Sequence, residues 1–264
     1  MLYDSLKIPQ GGLKMRSVNS FTEHAPKPEW IAEFFTEQDG FFENNSLGPD
    51  QNLKFKIFLA DSLLTNKEKL SEFANIILNI GWETDISFGL ILINLSMNNP
   101  QIEWYVKNLD IGKIYTRKYI TDSLIAEGLK ERPANSVAKA YKRIVSTQLG
   151  TILHFGYITG NDELVRTKCT LDDPRVLLYG LFKFAEKCNN YKEFTLATLL
   201  NDSIERDGVS PTRIFGLNRE EAIPLLLGLS AKYPEFISAT FTHDLEKIAL
   251  AEDKSSQDVL ALFA

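Results

Sequence analysis

Between Tyr115 and Ile158 two runs of helical period are separated by Gly128 and the pair Arg132-Pro133, and a run of strand character follows. No other stretch limits the possible folds as much. Thr116 is placed to cap a helix reaching about Leu129, with Tyr119, Ile120, Leu124 and Ile125 as its apolar stripe. Gly128 weakens the last turn. Arg132-Pro133 should break the helix, because proline disfavours α geometry in the residue before it. Asn135 or Ser136 is the expected cap of the next helix, which should reach about Leu149. Thr151–Ile158 then reads as a strand, Gly160-Asn161-Asp162 as a turn and Glu163–Leu171 as the returning strand. Two helices followed by a hairpin is the layout of a winged helix-turn-helix.

The second helix has two chemical faces. At about 100° per residue, Val137, Tyr141, Ile144, Val145 and Gln148 share one side, and Lys139, Lys142 and Arg143 lie opposite. Charge concentrates here. Lys113–Arg143 holds eight basic residues against Asp122, Glu127 and Glu131, a net of +5 in a chain whose total is −6. A basic patch on an acidic protein is a candidate phosphate footprint, with a helix start beside it. The candidate contact residues are Arg117, Lys118, Arg132, Ser136, Lys139, Lys142 and Arg143. The competing reading is an ordinary solvated helix face. Arg166 and Lys168, on one face of the returning strand, could touch phosphate as a wing does or face solvent.

Around this stretch the chain reads as mainly α with small β-hairpins. Residues 1–28 hold Pro9, Gly11, Gly12, Pro26 and Pro28 and read as a linker or extended arm, not a core element. Residues 29–112 read as an N-terminal helical domain. A helix over Trp30–Phe35 is closed by Phe41 and Phe42, and one from Pro49 runs to about Leu63. A third spans about Lys67–Ile80 and stops at Gly81, and Asp85–Met97 is a buried central helix. Trp82 and Trp104 are expected in the core. Residues 113–190 form the winged-helix-like domain, closed by a helix Pro174–Cys188 capped by Asp173.

Residues 191–264 read as a second, degenerate copy with a tail, so the expected architecture is tandem winged helix-turn-helix-like units. Thr195 starts a helix to about Ile204. Ser210 caps Pro211–Phe215, which ends at Gly216, and Asn218 with Glu221 opens a helix ending near Lys232. Phe236–Thr242 and Leu245–Leu250 form the hairpin, turning at His243-Asp244. The helix before it carries Ile223, Leu225, Leu226, Leu227 and Leu229 nearly all round, so it is buried or partner-facing.

No signal for catalysis, metal or cofactor emerges. His24, His154 and His243 stand apart, without metal-ligand spacing to another His or Cys, and His154 reads as a satisfied core residue. Gly11-Gly12 lacks the spacing and the ending of a phosphate loop. Cys169 and Cys188 are expected as buried thiols of a cytoplasmic protein. The longest apolar run, Ile86–Ile93, is too short to span a bilayer, and the N-terminus lacks the order of a signal peptide.

The order of motifs resembles the C-terminal region of prokaryotic phosphoadenosine phosphosulfate reductase-like proteins. It also resembles a related family of unknown function associated with DNA phosphorothioation and phage defence. The resemblance is carried by Ser46-Leu47-Gly48 with Gln51 and Leu53, by Phe58–Leu64 and by Tyr115-Thr116-Arg117. Ser210-Pro211, Ile214-Phe215-Gly216-Leu217, Phe241-Thr242-His243-Asp244-Leu245 and Asp258–Phe263 complete it. These motifs are structural. The nucleotide loop and cluster cysteines of the reductase-like enzymes are absent, and no cofactor is expected in this chain. The resemblance implies a part in DNA modification or defence, with a reductase-like or other defence-system protein as partner. Two roles fit: a non-catalytic nucleic-acid-docking module, or a protein-interaction scaffold that holds a catalytic subunit without touching DNA.

Overall fold

The computed structural model describes residues 18–201, 207–242 and 245–263. Pro28–Glu37 forms α1, and a 3-10 turn over Gln38–Phe42 returns Phe41 to it, with the Phe34 and Phe41 rings 5.9 Å apart, edge to face. α2 is Pro49–Asp61, with proline in its first turn, where the missing N–H leaves nothing unpaired. A hairpin of β1 (Thr65–Asn66) and β2 (Lys69–Leu70) precedes α3 (Glu72–Ile80). The expected helix from Lys67 therefore starts later. Lys67 and Glu68 take φ of 49° and 62°, turn values incompatible with a right-handed helix, and Ser71 caps α3 instead. Gly81, at φ 94°, ends it.

α4 (Asp85–Asn98) is the central helix, buried at every position from Ser87 to Met97. Its polar Asn94 is paired on both sides: Nδ2 donates to Ser62 O at 3.1 Å, and Oδ1 accepts from Tyr179 Oη at 2.7 Å. Pairing of this kind removes most of the cost of burying an amide. α5 (Pro100–Asn108) follows directly, then β3 (Ile114–Tyr115), α6 (Arg117–Ala126), α7 (Glu131–Ile144) and α8 (Gln148–Thr151). The hairpin β4 (Gly156–Ile158) and β5 (Leu164–Arg166) leads to α9 (Pro174–Lys187), capped by Asp173. The second half runs β6 (Glu193–Phe194), α10 (Leu196–Leu200), α11 (Pro211–Phe215), α12 (Arg219–Lys232), β7 (Ile237–Phe241), β8 (Glu246–Leu250) and α13 (Ser256–Leu260).

The chain is thus mainly helical with small antiparallel sheets. The sheet orders are β3-β5-β4 and β6-β8-β7. Each half therefore runs strand, three helices, hairpin, with its first strand paired to its last. Buried apolar residues from Val18 to Leu260 form one contiguous core.

Several boundaries differ from the sequence reading. Pro133 does not break a helix. It sits in the first turn of α7, where its missing N–H has no intrahelical acceptor to lose, and Lys130 is the N-cap. Asn135 and Ser136 are therefore inside α7, not caps: their side chains donate back to Glu131 O and Arg132 O. α7 stops at Ile144, and Thr147 caps the separate α8. The strands are shorter than expected, and His154 is exposed at φ 60° ahead of β4, not in the core. Val18, Phe21 and Ala25 are buried, so that part of the expected arm belongs to the core, where Phe21 N donates to Gln101 Oε1 at 3.0 Å. Residues 1–17 of that arm and the turn at His243-Asp244 lie outside the described residues, and the helix expected to reach Ile204 ends at Leu200, where Asn201 turns to an extended backbone. Trp104 stacks on Tyr141 at 5.8 Å in the core, as expected, whereas Trp82 stacks on Phe35 at 5.0 Å but is only half-buried at the core's edge. The tail docks on its own body, with Val259 and Leu260 buried and Arg175 over the Phe263 ring at 4.4 Å.

Arg166 overturns both readings offered for it. It neither faces solvent nor stands ready for phosphate, but is fully buried at 0% exposure. Its Nη1 donates to Val106 O and Leu109 O, each at 2.6 Å, and its Nη2 donates to Arg213 O. Arg213 reaches the same helix end, donating from Nε to Val106 O at 2.9 Å and from Nη2 to Lys107 O at 3.0 Å. The last carbonyls of α5 lack intrahelical donors, and two guanidinium groups supply them. This joint ties the hairpin of the first half to α11 of the second. Lys168 turns outward and pairs with Glu221.

Helix contact fixes one glycine. A Cβ on Gly180 of α9 would lie 2.7 Å from Pro211 Cβ and 3.2 Å from Ile93 Cδ1. Gly180→Ala gains about 1 kcal/mol of helix propensity. Pushing apart α9, α4 and α11 costs more, so the expected net loss is about 1–2 kcal/mol in urea denaturation. A stabilised variant would show that the helices separate freely.

Candidate nucleic-acid interface

α7 owes its orientation to its inner face. Ala134, Val137, Ala138, Ala140, Tyr141 and Ile144 are buried. Tyr141 lies flat against Trp104 and donates from Oη to Gln101 O at 2.8 Å. Trp104 Nε1 in turn donates to Glu127, just past the end of α6, at 2.9 Å. α6 starts at Thr116, whose hydroxyl accepts from Tyr119 N at 3.1 Å, as the sequence indicates. With the apolar side of α7 sunk, Arg132, Lys139, Lys142 and Arg143 are forced outward.

They do not form one even face. Lys142 is drawn onto Asp162 at the tip of the β4–β5 hairpin, and its side chain keeps 15% of its exposure. The Arg143 guanidinium donates to the Glu23 carbonyl. Both line a depression of about 420 Å³ with Lys27 and Ser146. Lys139 lies 3.6 Å from the Glu23 carboxylate and borders a larger, open depression of about 880 Å³. There it is joined by Arg117 from α6, Arg132 from α7 and Lys54 from α2. Arg117 Nη2 donates to Asn135 Oδ1 at 3.1 Å, and neither Arg132 nor Lys54 is paired with a carboxylate among the described residues. Ser136 lines the same depression but spends its hydroxyl on Arg132 O, 3.2 Å away, rather than on a helix start. Lys118 is outside it and pairs with Asp122 at 2.7 Å.

The depression is not purely cationic. Glu23, Asp50 and Glu131 share its walls, with His24, and Leu53 presents an apolar side chain that is 55% exposed. Sequence reasoning missed Lys54 and Glu23, since both come from elements far along the chain from α7. A helical wheel resolves one helix at a time and says nothing about a wall that another element builds.

Burial pushes the Cys169 thiol up to about 12, against the pull of Arg166, so it stays protonated and unreactive. Among the described residues no group of three or more His, Cys, Asp or Glu side chains is placed to hold a metal ion. None of the described helices is long and apolar enough to cross a membrane.

No family model and no curated protein matches the chain. Among solved structures, the chain is similar to a magnesium ion-bound crystal structure of SspB, at 16% sequence identity and a TM-score of 0.68. The match covers 93% of this chain and 86% of that one, so the architecture described above is shared with SspB over nearly its whole length.

Proposed function

We propose that this chain is a docking module that holds DNA for a phosphorothioation-linked modification or defence system. The observation that carries the reading is the open depression where Lys54, Arg117, Arg132 and Lys139 converge, three of them without a carboxylate partner among the described residues. The motif resemblance to a phosphorothioation-associated family supports the setting, and the fold shared with SspB supports the architecture on which the reading stands. The two strand–helices–hairpin halves fit a pair of winged-helix-type units, 113–190 and 191–264, built on a helical domain over 29–112.

Helix α7 does not read bases in this proposal. An α-helix with its side chains is about 10–12 Å across and alone fills a major groove about 12 Å wide. Residues 23–28 cross the C-terminal part of its outer face, where Lys139 and Arg143 meet Glu23, and are held further on by Gln148 of α8, whose Nε2 donates to Pro28 O at 3.2 Å. Contact is therefore with backbone phosphate, which positions without reading sequence.

A labelled oligonucleotide titrated by fluorescence anisotropy tests this. Four phosphate contacts give a slope of about −2.8 on a single strand or about −3.6 on a duplex in log affinity against log salt, so affinity falls about 50- to 150-fold between about 50 and 200 mM. Absent or salt-independent binding would contradict it.

A scaffold role is favoured by one observation, the outer side of α12. Leu227 is 43% exposed there beside Pro224, and Gly228 faces open space. The tail cannot share that role while Val259 and Leu260 are buried against the body.

A further inference from the structure

We infer that the depression between α2, α6 and α7 takes an unpaired DNA strand in preference to a duplex; the inference rests on the docking role proposed above. The first ground is shape. The cations stand on separate walls, Lys54 on α2 and Arg132 and Lys139 on α7, with Arg117 at the start of α6. A ligand that meets all of them must enter between the walls. The volume, about 880 Å³, is that of a site for a drug-sized molecule, enough for a few nucleotides and too small for a double helix.

The second ground is chemistry. Glu23, Asp50 and Glu131 line the same walls. Around a bare phosphate these carboxylates would repel the ligand. They suit one that brings hydrogen-bond donors beside its phosphates, as the exocyclic amino groups of bases do. In a duplex the Watson–Crick edges are occupied, whereas in a single strand they are free for side chains. Leu53, exposed at the rim, adds an apolar surface for a base face. Cations for the backbone, acceptors for base edges and an apolar contact together describe a nucleotide strand rather than a simple anion.

Lys54 separates the two geometries. It lies on α2, outside the pair of helices and hairpin that would face a duplex, yet inside the depression. The test is anisotropy with a labelled single-stranded oligodeoxynucleotide, the same sequence as a duplex, and both again with Lys54→Ala. The expected result is single-strand affinity at least about tenfold above duplex affinity, with Lys54→Ala lowering the single-strand salt slope by about 0.7. Duplex binding as tight as single-strand binding would overturn the inference and leave the docking role standing. No salt-dependent binding of either form would overturn both, and would return the depression to a protein partner.

Discussion

Arg166→Ala should lower the stability of the protein by about 4 kcal/mol, well above the loss expected for Gly180→Ala. The guanidinium is fully buried and serves three carbonyls, two of them at 2.6 Å. A hydrogen bond to a charged group contributes about 1.5–3 kcal/mol, and a buried acceptor left without its donor costs about 1–3 kcal/mol. Arg213 still reaches Val106 O in the variant, so the losses concentrate on Leu109 O and Arg213 O. Arg166→Lys keeps the charge but not the fork. One ammonium cannot span carbonyls on α5 and α11 as a planar guanidinium does, and about half the loss should remain. Urea denaturation with circular dichroism measures both. A loss below about 1 kcal/mol for Arg166→Ala would show that the joint between the two halves is held elsewhere.

Arg117→Ala/Arg132→Ala/Lys139→Ala should weaken DNA binding by about 10²- to 10³-fold at about 50 mM salt while leaving the fold intact. All three side chains reach into the open depression, and none packs in the core. Each exposed cation-to-phosphate contact is worth on the order of 1 kcal/mol after solvent screening. Three of them amount to about 3 kcal/mol, the lower end of that range, since each 1.4 kcal/mol is about tenfold in affinity. Alanine is a strong helix former, so α6 and α7 should not suffer. The unfolding free energy should stay within about 0.5 kcal/mol of the parent. A variant that binds like the parent at every salt concentration would remove the depression from any role in anion contact.

Much of this fold is written locally. Thr116, Ser210 and the Asn218–Glu221 pair cap the helices they precede because capping depends on three or four successive residues. The all-apolar run in α4 could only be buried, and it is. Pro133 misled for a local reason as well: proline stops a helix from inside but is tolerated in its first turn, and the sequence does not say which position it holds. Arg166 could not be placed from its strand, since its partners are carbonyls contributed by two distant helices. The candidate site was half legible. Amphipathicity put Lys139, Lys142 and Arg143 on the outside of α7. What each meets there depends on Asp162 and Glu23, which the hairpin and the N-terminal segment bring back across space.

The proposed DNA contact depends on this division of α7's cations. Arg117, Arg132 and Lys54 have no carboxylate partner among the described residues and Lys139 lies 3.6 Å from Glu23, whereas Lys142 and Arg143 are drawn onto Asp162 and the Glu23 carbonyl. Its most direct test is the slope of log affinity against log salt for DNA binding, compared between two double variants. Arg117→Ala/Arg132→Ala should make the slope shallower by about 1.4–1.8, two contacts' worth. Lys142→Ala/Arg143→Ala should change it by less than about 0.5. If the second pair flattens the slope and the first leaves it untouched, the phosphates bind along the outer side of α7 and not in the depression.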